Sequence, residues 1–178
     1  MDVVTLVIAV VGLVLSVASL CWQVAQHRLS GPRVRAELLW GGIAHDRAVT
    51  GPIKGTLEVF RHAGVDTPVI AVKGRNHGRL PIDVTGFTVE MDGGGGYSLP
   101  GWRFNPSLPH RLESGSEVTF YLPLEDVERA VTVFGRVYRG RLRGRLDLAA
   151  GDPAASAWVA FPPNGKGFIA LASRKGLS

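Results

Sequence analysis

The hydrophobic pattern divides the chain into one long apolar run followed by short alternating segments. Residues Val3 to Val24 are almost entirely apolar, and no charged side chain occurs between Asp2 and Arg28. A helix of this length is roughly 33 Å long at about 1.5 Å per residue, and the hydrocarbon core of a bilayer is about 30 Å thick. The pattern therefore predicts a transmembrane α-helix over residues 1–27.

Two other interpretations of this run are a cleaved signal peptide and a lipoprotein signal. A signal peptide has a basic start and an apolar stretch of about 7–15 residues, whereas this chain begins Met1-Asp2 and its run is longer. A lipidated cysteine follows a small residue, but Leu20 precedes Cys21. A retained helix is therefore favoured, with Cys21 as an ordinary small side chain of that helix.

The residues at the end of the run predict how the helix is oriented. Trp22 suits the headgroup layer, and Arg28, the first cation after the run, is also expected at the membrane interface. Arg33 and Arg35 add further cations after the helix, and no lysine or arginine precedes it. By the positive-inside rule, we expect a single-pass membrane protein with its N-terminus outside and its C-terminal domain in the cytoplasm.

Small and polar residues recur along one side of the predicted helix, at spacings that alternate between four and three. We call this set the helix seam: Thr5, Ala9, Gly12, Ser16, Ser19, Gln23 and Gln26. In lipid, helices associate where small residues allow close approach, so the seam predicts a homo-oligomer or pairing with another membrane helix. Alternatively, its hydroxyl groups bond back to carbonyls one turn earlier. A pore-lining role is disfavoured because the run contains no charge.

The remainder of the chain has the pattern of an antiparallel β domain. Gly31-Pro32 ends the helix, and residues 28–33 are predicted to be a juxtamembrane linker. Many short alternating segments follow without a βαβ pattern, which is typical of an all-β antiparallel sandwich over residues 34–148. The predicted strands are 34–40, 56–60, 69–75, 82–91, 117–122, 131–138 and 140–148, with a short helix over 124–130. The pattern weakens in a C-terminal extension, residues 149–178.

Two segments resemble bacterial immunoglobulin-like domains. VIAVKGRNHGRLPIDVTGFTVE resembles their central strand–turn–strand, with a strand that ends in Asn-x-Gly before one that carries Pro81 to Val84. LPHRLESGSEVTFYL is similar to their Pro-Gly turn and Thr/Ser strand, with Ser114 where proline is usual. The resemblance implies an immunoglobulin-like β-sandwich and no catalytic residues. As a whole, the chain resembles small membrane-anchored bacterial proteins.

Composition and motifs argue against an enzyme. None of the five histidines stands at metal-ligand spacing from another histidine or a cysteine, and the single cysteine excludes an intrachain disulfide. Gly93 to Gly96 precede no Lys-Ser/Thr and open no helix, so a phosphate loop is not indicated. We therefore expect no catalytic, cofactor-binding or metal-binding residues.

A group of alternating arginines is the one notable cluster of charge, in a chain of net charge +5. Alternation places the set, here called the arginine stripe, on one face of a strand, with Leu142 and Leu146 on the other. The stripe consists of Arg139, Arg141, Arg143 and Arg145. It suits anionic lipid headgroups or an acidic protein, or else it is a solvated strand edge. Nucleic acid is disfavoured because no stacking aromatic residues interleave the arginines.

Together these features predict a non-enzymatic, membrane-anchored β-sandwich that acts as a binding or assembly module and self-associates through the helix seam. Membrane lipid is its first expected partner. The alternatives are a secreted or surface-exposed adhesion-like module of the same fold with reversed topology, and a small oligomeric membrane-permeabilising protein.

Overall fold

The apolar run forms one continuous helix, α1 (Val3–Ser30). The computed structural model describes residues 2–44, 47–52, 67–133 and 140–161. Helix α1 stops at Gly31, whose extended backbone leads into Pro32, and proline cannot donate the next helical hydrogen bond. Its segment Leu6–Val24 is long and apolar enough to cross a membrane, and no part of that segment is buried. The helix of a signal sequence near an N-terminus can meet the same criteria of length and apolar composition.

After the helix, the described residues form strands and one short helix. The strands of the first sheet are β1 (Val34–Ala44), β2 (Arg47–Pro52), β3 (Thr67–Asn76) and β7 (Glu117–Pro123). Those of the second sheet are β4 (Ile82–Met91), β5 (Gly96–Tyr97), β6 (His110–Leu112), β8 (Arg141–Leu148), β9 (Ala154–Ala155) and β10 (Val159–Ala160). Helix α2 (Leu124–Val133) follows β7 directly.

Both sheets are antiparallel throughout their described pairings. The first has the order β2-β1-β3-β7. In the second, β4 and β8 are the central pair; β9 and β10 flank β8, while β5 and β6 flank β4. A register shift interrupts the β4–β8 pairing between Val84 and Gly86.

The inner faces of the two sheets share one hydrophobic core. Phe87 of the second sheet stacks on Phe120 of the first, with ring centroids 4.6 Å apart. At Gly144, a Cβ atom would lie only 2.9 Å from Val72 of the opposite sheet. The absence of a side chain there allows the sheets to approach closely, and Leu142 and Leu146 fill the core on either side of this glycine.

The broad prediction, a mostly antiparallel β domain behind one apolar helix, is confirmed. The prediction of a strand over 131–138 is wrong at its start, because residues 131–133 are the last turn of α2. Leu124 and Val127 bury one face of that helix, and acidic residues in its first turn complement the helix dipole. The predicted strand 56–60 and residues 134–138 lie outside the described residues. The sheet also continues beyond residue 148 through β9 and β10.

Candidate functional site

The arginine stripe lies on the outer face of the second sheet, on strand β8. Arg141, Arg143 and Arg145 alternate there with the buried Leu142 and Leu146. Arg139 lies outside the described residues. Strand β8 is not an edge of the sheet, since it pairs with β4 on one side and with β9 and β10 on the other. The interpretation of the stripe as a solvated strand edge is therefore excluded for these three arginines.

Carboxylates on the same face pair with the three arginines. Glu90 lies directly opposite Arg143 in the antiparallel register. Its Oε2 accepts a hydrogen bond from Arg143 Nε at 2.6 Å, and its Oε1 accepts one from Arg145 Nη1 at 3.1 Å. Asp92 accepts a bond from Arg141 Nε at 2.7 Å. These bonds tie β8 to β4 along their outer face, and we call the set the arginine–carboxylate ladder.

Two further contacts complete the ladder. Asp147 accepts a hydrogen bond from Arg145 Nε at 2.9 Å. The guanidinium carbon of Arg143 lies 4.5 Å from the ring centroid of Trp158, within the range of a cation–π contact. Three arginines therefore face three carboxylates, Glu90, Asp92 and Asp147. This neutralises much of the charge that an anionic lipid or acidic partner would need to attract it to this face.

The ladder also sets the pKa of Glu90. Partial burial acts to raise the pKa of this carboxyl, but the hydrogen bonds and charges of Arg143 and Arg145 outweigh burial and hold the pKa below its ordinary value of 4.5. A carboxyl whose pKa is lowered in the folded state stabilises that state above its unfolded pKa. This contribution is lost as the pH falls through the folded-state pKa.

Glu90→Gln is therefore expected to lower the free energy of unfolding by about 1–2 kcal/mol at pH 7. The glutamine amide carries no negative charge and has only one acceptor oxygen, so both ion pairs are lost and one of the two hydrogen bonds has no acceptor. The loss relative to wild type should shrink as the pH falls from about 4.5 through the lowered folded-state pKa of Glu90, where the wild-type carboxyl also becomes protonated. Denaturant unfolding of the full chain in detergent, followed by circular dichroism at several pH values, measures both effects.

Glu113→Gln is the matched control for this prediction. Glu113 also pairs with an arginine, Arg111, but the two side chains are exposed to solvent, at 62% and 63%. An exposed pair contributes about 0–1 kcal/mol, so the control should unfold almost like wild type. Equal losses in the two variants, or a Glu90→Gln loss that does not depend on pH, would contradict the structural role of the ladder.

A second polar cluster joins the end of α1 to the β domain, around Asn76 at the end of β3. Asn76 has no exposed surface, and in the described part of the chain it is the one buried polar residue. Its Nδ2 donates to the carbonyl oxygens of Leu80, at 2.8 Å, and Leu112, at 3.2 Å. Its Oδ1 accepts from the backbone N–H groups of Gly78 and Arg33. One side chain thus links the linker, the β3–β4 turn and β6.

The backbone around Gly78 completes this cluster, which we call the junction clamp. His77 N donates to the carbonyl oxygen of Arg33 at 2.8 Å. Ser114 Oγ donates to the carbonyl oxygen of Gly78 at 2.7 Å. A Cβ atom on Gly78 would collide with the Gly31 carbonyl oxygen and would lie 2.5 Å from Arg33 N. The linker therefore runs in direct contact with the β domain.

The helix seam lies on an exposed helix. Its members from Ala9 onward are exposed, and the side chain of Thr5 lies outside the described part of the structure. Ser16 Oγ donates to the carbonyl oxygen of Gly12 at 2.8 Å, as the back-bonding alternative expects for this hydroxyl. A Cβ atom on Gly12 would have nothing within 4 Å of it. Gly12 thus offers an open surface for close approach, while the hydroxyl hydrogen of Ser16 is already used.

The residues predicted at the membrane interface lie at the end of the same helix. Trp22 is 67% exposed, so the β domain does not cover its ring. Arg28 belongs to α1, but its side chain lies outside the described part of the structure.

Other candidate chemistry does not assemble in the described residues. No three residues among their His, Cys, Asp and Glu are close enough to hold a metal ion. Glu128 on α2 has a buried Oε1 without a hydrogen-bond partner; burial, followed by the charge of Glu125, raises its pKa. No family model matches the chain, and no curated protein matches it.

Sequence reasoning did not identify the acidic half of the ladder or the central role of Asn76. Glu90 and Asp92 are two residues apart, so strand alternation places them on one face. If the pairing of β4 with β8 were known, the contact of Glu90 and Asp92 with the arginine stripe could have been predicted. Asn76 stands in the Asn-x-Gly segment used for the fold resemblance, but its burial depends on β6, which lies 36 residues away at Leu112.

Proposed function

We propose that this protein is a non-enzymatic, single-pass membrane protein whose β domain acts as a binding or assembly module. The exposure of α1 carries the proposal. A core helix of a soluble protein is largely covered by its own domain, but none of the segment Leu6–Val24 is buried. Such an apolar surface is unfavourable in water, and a bilayer is the environment that satisfies it.

The proposed domain is an immunoglobulin-like β-sandwich, and its strand order supports this assignment. Immunoglobulin domains place strands A, B and E in one sheet and C, F and G in the other. Taken in chain order, β1, β3 and β7 correspond to A, B and E, and they are neighbours in that order. Strands β4, β8 and β10 correspond to C, F and G. Fold class does not specify a ligand, so the binding role rests on the surfaces themselves.

The proposed location of the domain is the cytoplasm, with the N-terminus outside. Arg28, Arg33 and Arg35 follow the helix, as the positive-inside rule expects for a cytoplasmic C-terminus. A reporter fused after Ser178 tests this orientation. Cytoplasmic reporter activity is expected, and activity confined to the other side of the membrane would reverse the orientation.

Assembly is proposed to occur through the helix seam, chiefly by close packing at Ala9 and Gly12. The back-bonded hydroxyl of Ser16 retains acceptor capacity, but its proton is bound to Gly12. Close backbone approach at small residues is the main route to association in lipid, where no hydrophobic difference drives helices together. A second copy of α1 is therefore the proposed partner of the seam.

Replacing Gly12 and Ser16 together with leucine is expected to reduce crosslinked dimer about tenfold. Two bulky side chains would keep the helices apart, and seam contacts of about 0.6–2 kcal/mol each account for a loss of this size. The measurement is chemical crosslinking of the full chain in bilayers at low protein-to-lipid ratio.

The control for this experiment replaces Val7 and Val14 with leucine. At about 100° per residue, these positions lie opposite Gly12 and Ser16 on the helix, so they add apolar volume away from the seam. The control should crosslink like wild type. If both double variants crosslink as well as wild type, self-association through the seam is wrong, whereas equal losses would place the contact elsewhere on α1.

A further inference from the structure

The membrane-proximal end of the β domain carries arginines that the ladder does not involve. Arg35 on β1 and Arg75 on β3 lie directly opposite each other in the register. Arg79 follows Gly78 in the β3–β4 turn, and all three residues are exposed. Like charges directly opposite each other on adjacent strands are destabilising, so the pair Arg35 and Arg75 does not stabilise the fold. We call Arg35, Arg75 and Arg79 the basic collar.

No described residue forms an ion pair with an arginine of the collar. Glu117 lies opposite Arg75, but its carboxylate pairs with Lys73 at 2.8 Å. The hydrogen bond and charge of Lys73 are the main causes that lower the pKa of Glu117, and the charge of Arg75 contributes less. The carboxylate of Glu113 is bound to Arg111 at 2.9 Å. The collar differs in this respect from Arg141, Arg143 and Arg145, each of which has a carboxylate partner.

The junction clamp holds the collar at the end of α1. Gly78, next to Arg79, lies against the backbone of residues 31–33, and Arg33 N is bonded to Asn76 Oδ1. Arg75 is adjacent to Asn76 in β3, and Arg35 lies two residues after Arg33. The three arginines are therefore attached to the linker through the clamp and do not depend on a flexible tether.

With Leu6–Val24 in the hydrocarbon core, the length of α1 places this end of the domain next to the bilayer surface. Residues 25–30 extend the helix beyond Val24 by about 9 Å, at about 1.5 Å per residue. The headgroup region adds roughly 5–8 Å to each side of the hydrocarbon core. The Debye length is about 8 Å at physiological salt, so charges held at the junction lie within reach of charged headgroups.

We propose that the basic collar binds the headgroups of anionic lipids in the leaflet from which α1 emerges. This inference rests on the proposed membrane anchor. Arginine suits phosphate because its planar guanidinium donates paired hydrogen bonds. A lipid headgroup would also relieve the repulsion between Arg35 and Arg75. Lipid thus binds at the end of the domain that the junction clamp joins to the linker, and the arginine stripe on β8 has a structural role.

The test compares lipid selectivity in two variants with the same change in charge. The full chain in nonionic detergent is titrated with phosphatidylglycerol or phosphatidylcholine, and the ratio of the two dissociation constants is measured. R35Q/R75Q/R79Q should lose selectivity by about fivefold per arginine, on the order of a hundredfold in total. R47Q/R103Q/R129Q removes three arginines that do not adjoin the linker and should keep the wild-type ratio. R35K/R75K/R79K retains the charge and should keep most of the selectivity.

Each other outcome contradicts a particular part of the inference. An unchanged ratio in the collar variant, an equal loss in the control, or competition by millimolar inorganic phosphate would overturn lipid binding by the collar. Circular dichroism of each variant confirms its folding, and the lysine variant tests the charge independently of the glutamine changes. Alkaline extraction of the same membranes tests the anchor by itself: an integral chain without phosphatidylglycerol preference overturns only the collar, and an extracted chain overturns the proposed function.

Discussion

Replacing Asn76 with alanine is expected to lower the free energy of unfolding by about 3–4 kcal/mol and the melting temperature by about 10 °C. The change leaves the carbonyl oxygens of Leu80 and Leu112, and the N–H groups of Gly78 and Arg33, without their partner. A buried polar group without a partner costs about 1–3 kcal/mol. Thermal unfolding of the full chain in detergent, followed by circular dichroism, measures the loss.

Two further variants determine whether burial of this side chain is the cause. Asn76→Asp keeps the shape but replaces the donor with a carboxylate that faces two carbonyl oxygens, so it should destabilise more at pH 7 than at pH 4. Asn105→Ala removes a half-buried asparagine that bonds Leu99 and Tyr121, where water can replace it, and should cost about 1 kcal/mol. Equal effects for Asn76→Ala and Asn105→Ala would contradict the central position of Asn76.

The second large effect is expected from Gly78→Ala, which should detach the linker from the domain. The added methyl group would lie 2.5 Å from Arg33 N and 2.7 Å from Pro32 Cα, and these are backbone atoms that cannot rotate away. We expect a loss of about 1–3 kcal/mol in unfolding free energy, as for other overpacked sites. Hydrogen exchange should also become faster at Arg33 and His77, whose N–H groups are bonded at the clamp.

Gly31→Ala is the control for this substitution. Gly31 lies in the same linker, its φ of −62° suits any residue, and a methyl group added there would have no other atom within 4 Å. The control should unfold and exchange like wild type. If Gly78→Ala leaves the exchange of Arg33 and His77 unchanged, the linker does not contact the domain as described.

Features that depend on local periodicity could be predicted from the sequence. The apolar run specified α1, and alternation placed Arg141, Arg143 and Arg145 on the face opposite Leu142 and Leu146. Local pattern also misassigned residues 131–133 to a strand. Val131 and Val133 favour strands by themselves, but Leu124 and Val127 have helical spacing, and burial of that face in the core decided the conformation.

Features that depend on long-range pairing could not be predicted. The role of the arginine stripe depends on β4 lying beside β8, because only that pairing brings Glu90 to Arg143 across 53 residues of chain. The burial of Asn76 likewise requires β6 and the linker to meet the same turn. The sequence indicated the arginine stripe as a cluster of charge, but the carboxylate partners of the stripe and the basic collar are visible only in the fold.

The ion pairs of the arginines determine where the β domain carries positive charge that is not neutralised. Arginines of the ladder pair with carboxylates on the outer face of the second sheet, whereas those of the collar adjoin the linker and form no ion pair with a described residue. The proposed binding module therefore presents its charge toward the bilayer surface, and the outer face of β8 is close to neutral. A soluble partner, if acidic, would compete with lipid for the collar.

The central claim is that α1 is a retained membrane anchor, and the most direct test is the intact mass of the chain recovered after alkaline extraction of membranes. The protein is expected to stay in the membrane pellet, with an intact mass that includes residues 1–27. Recovery of a soluble chain that lacks the N-terminal apolar segment would contradict it, because that result identifies the segment as a cleaved signal sequence.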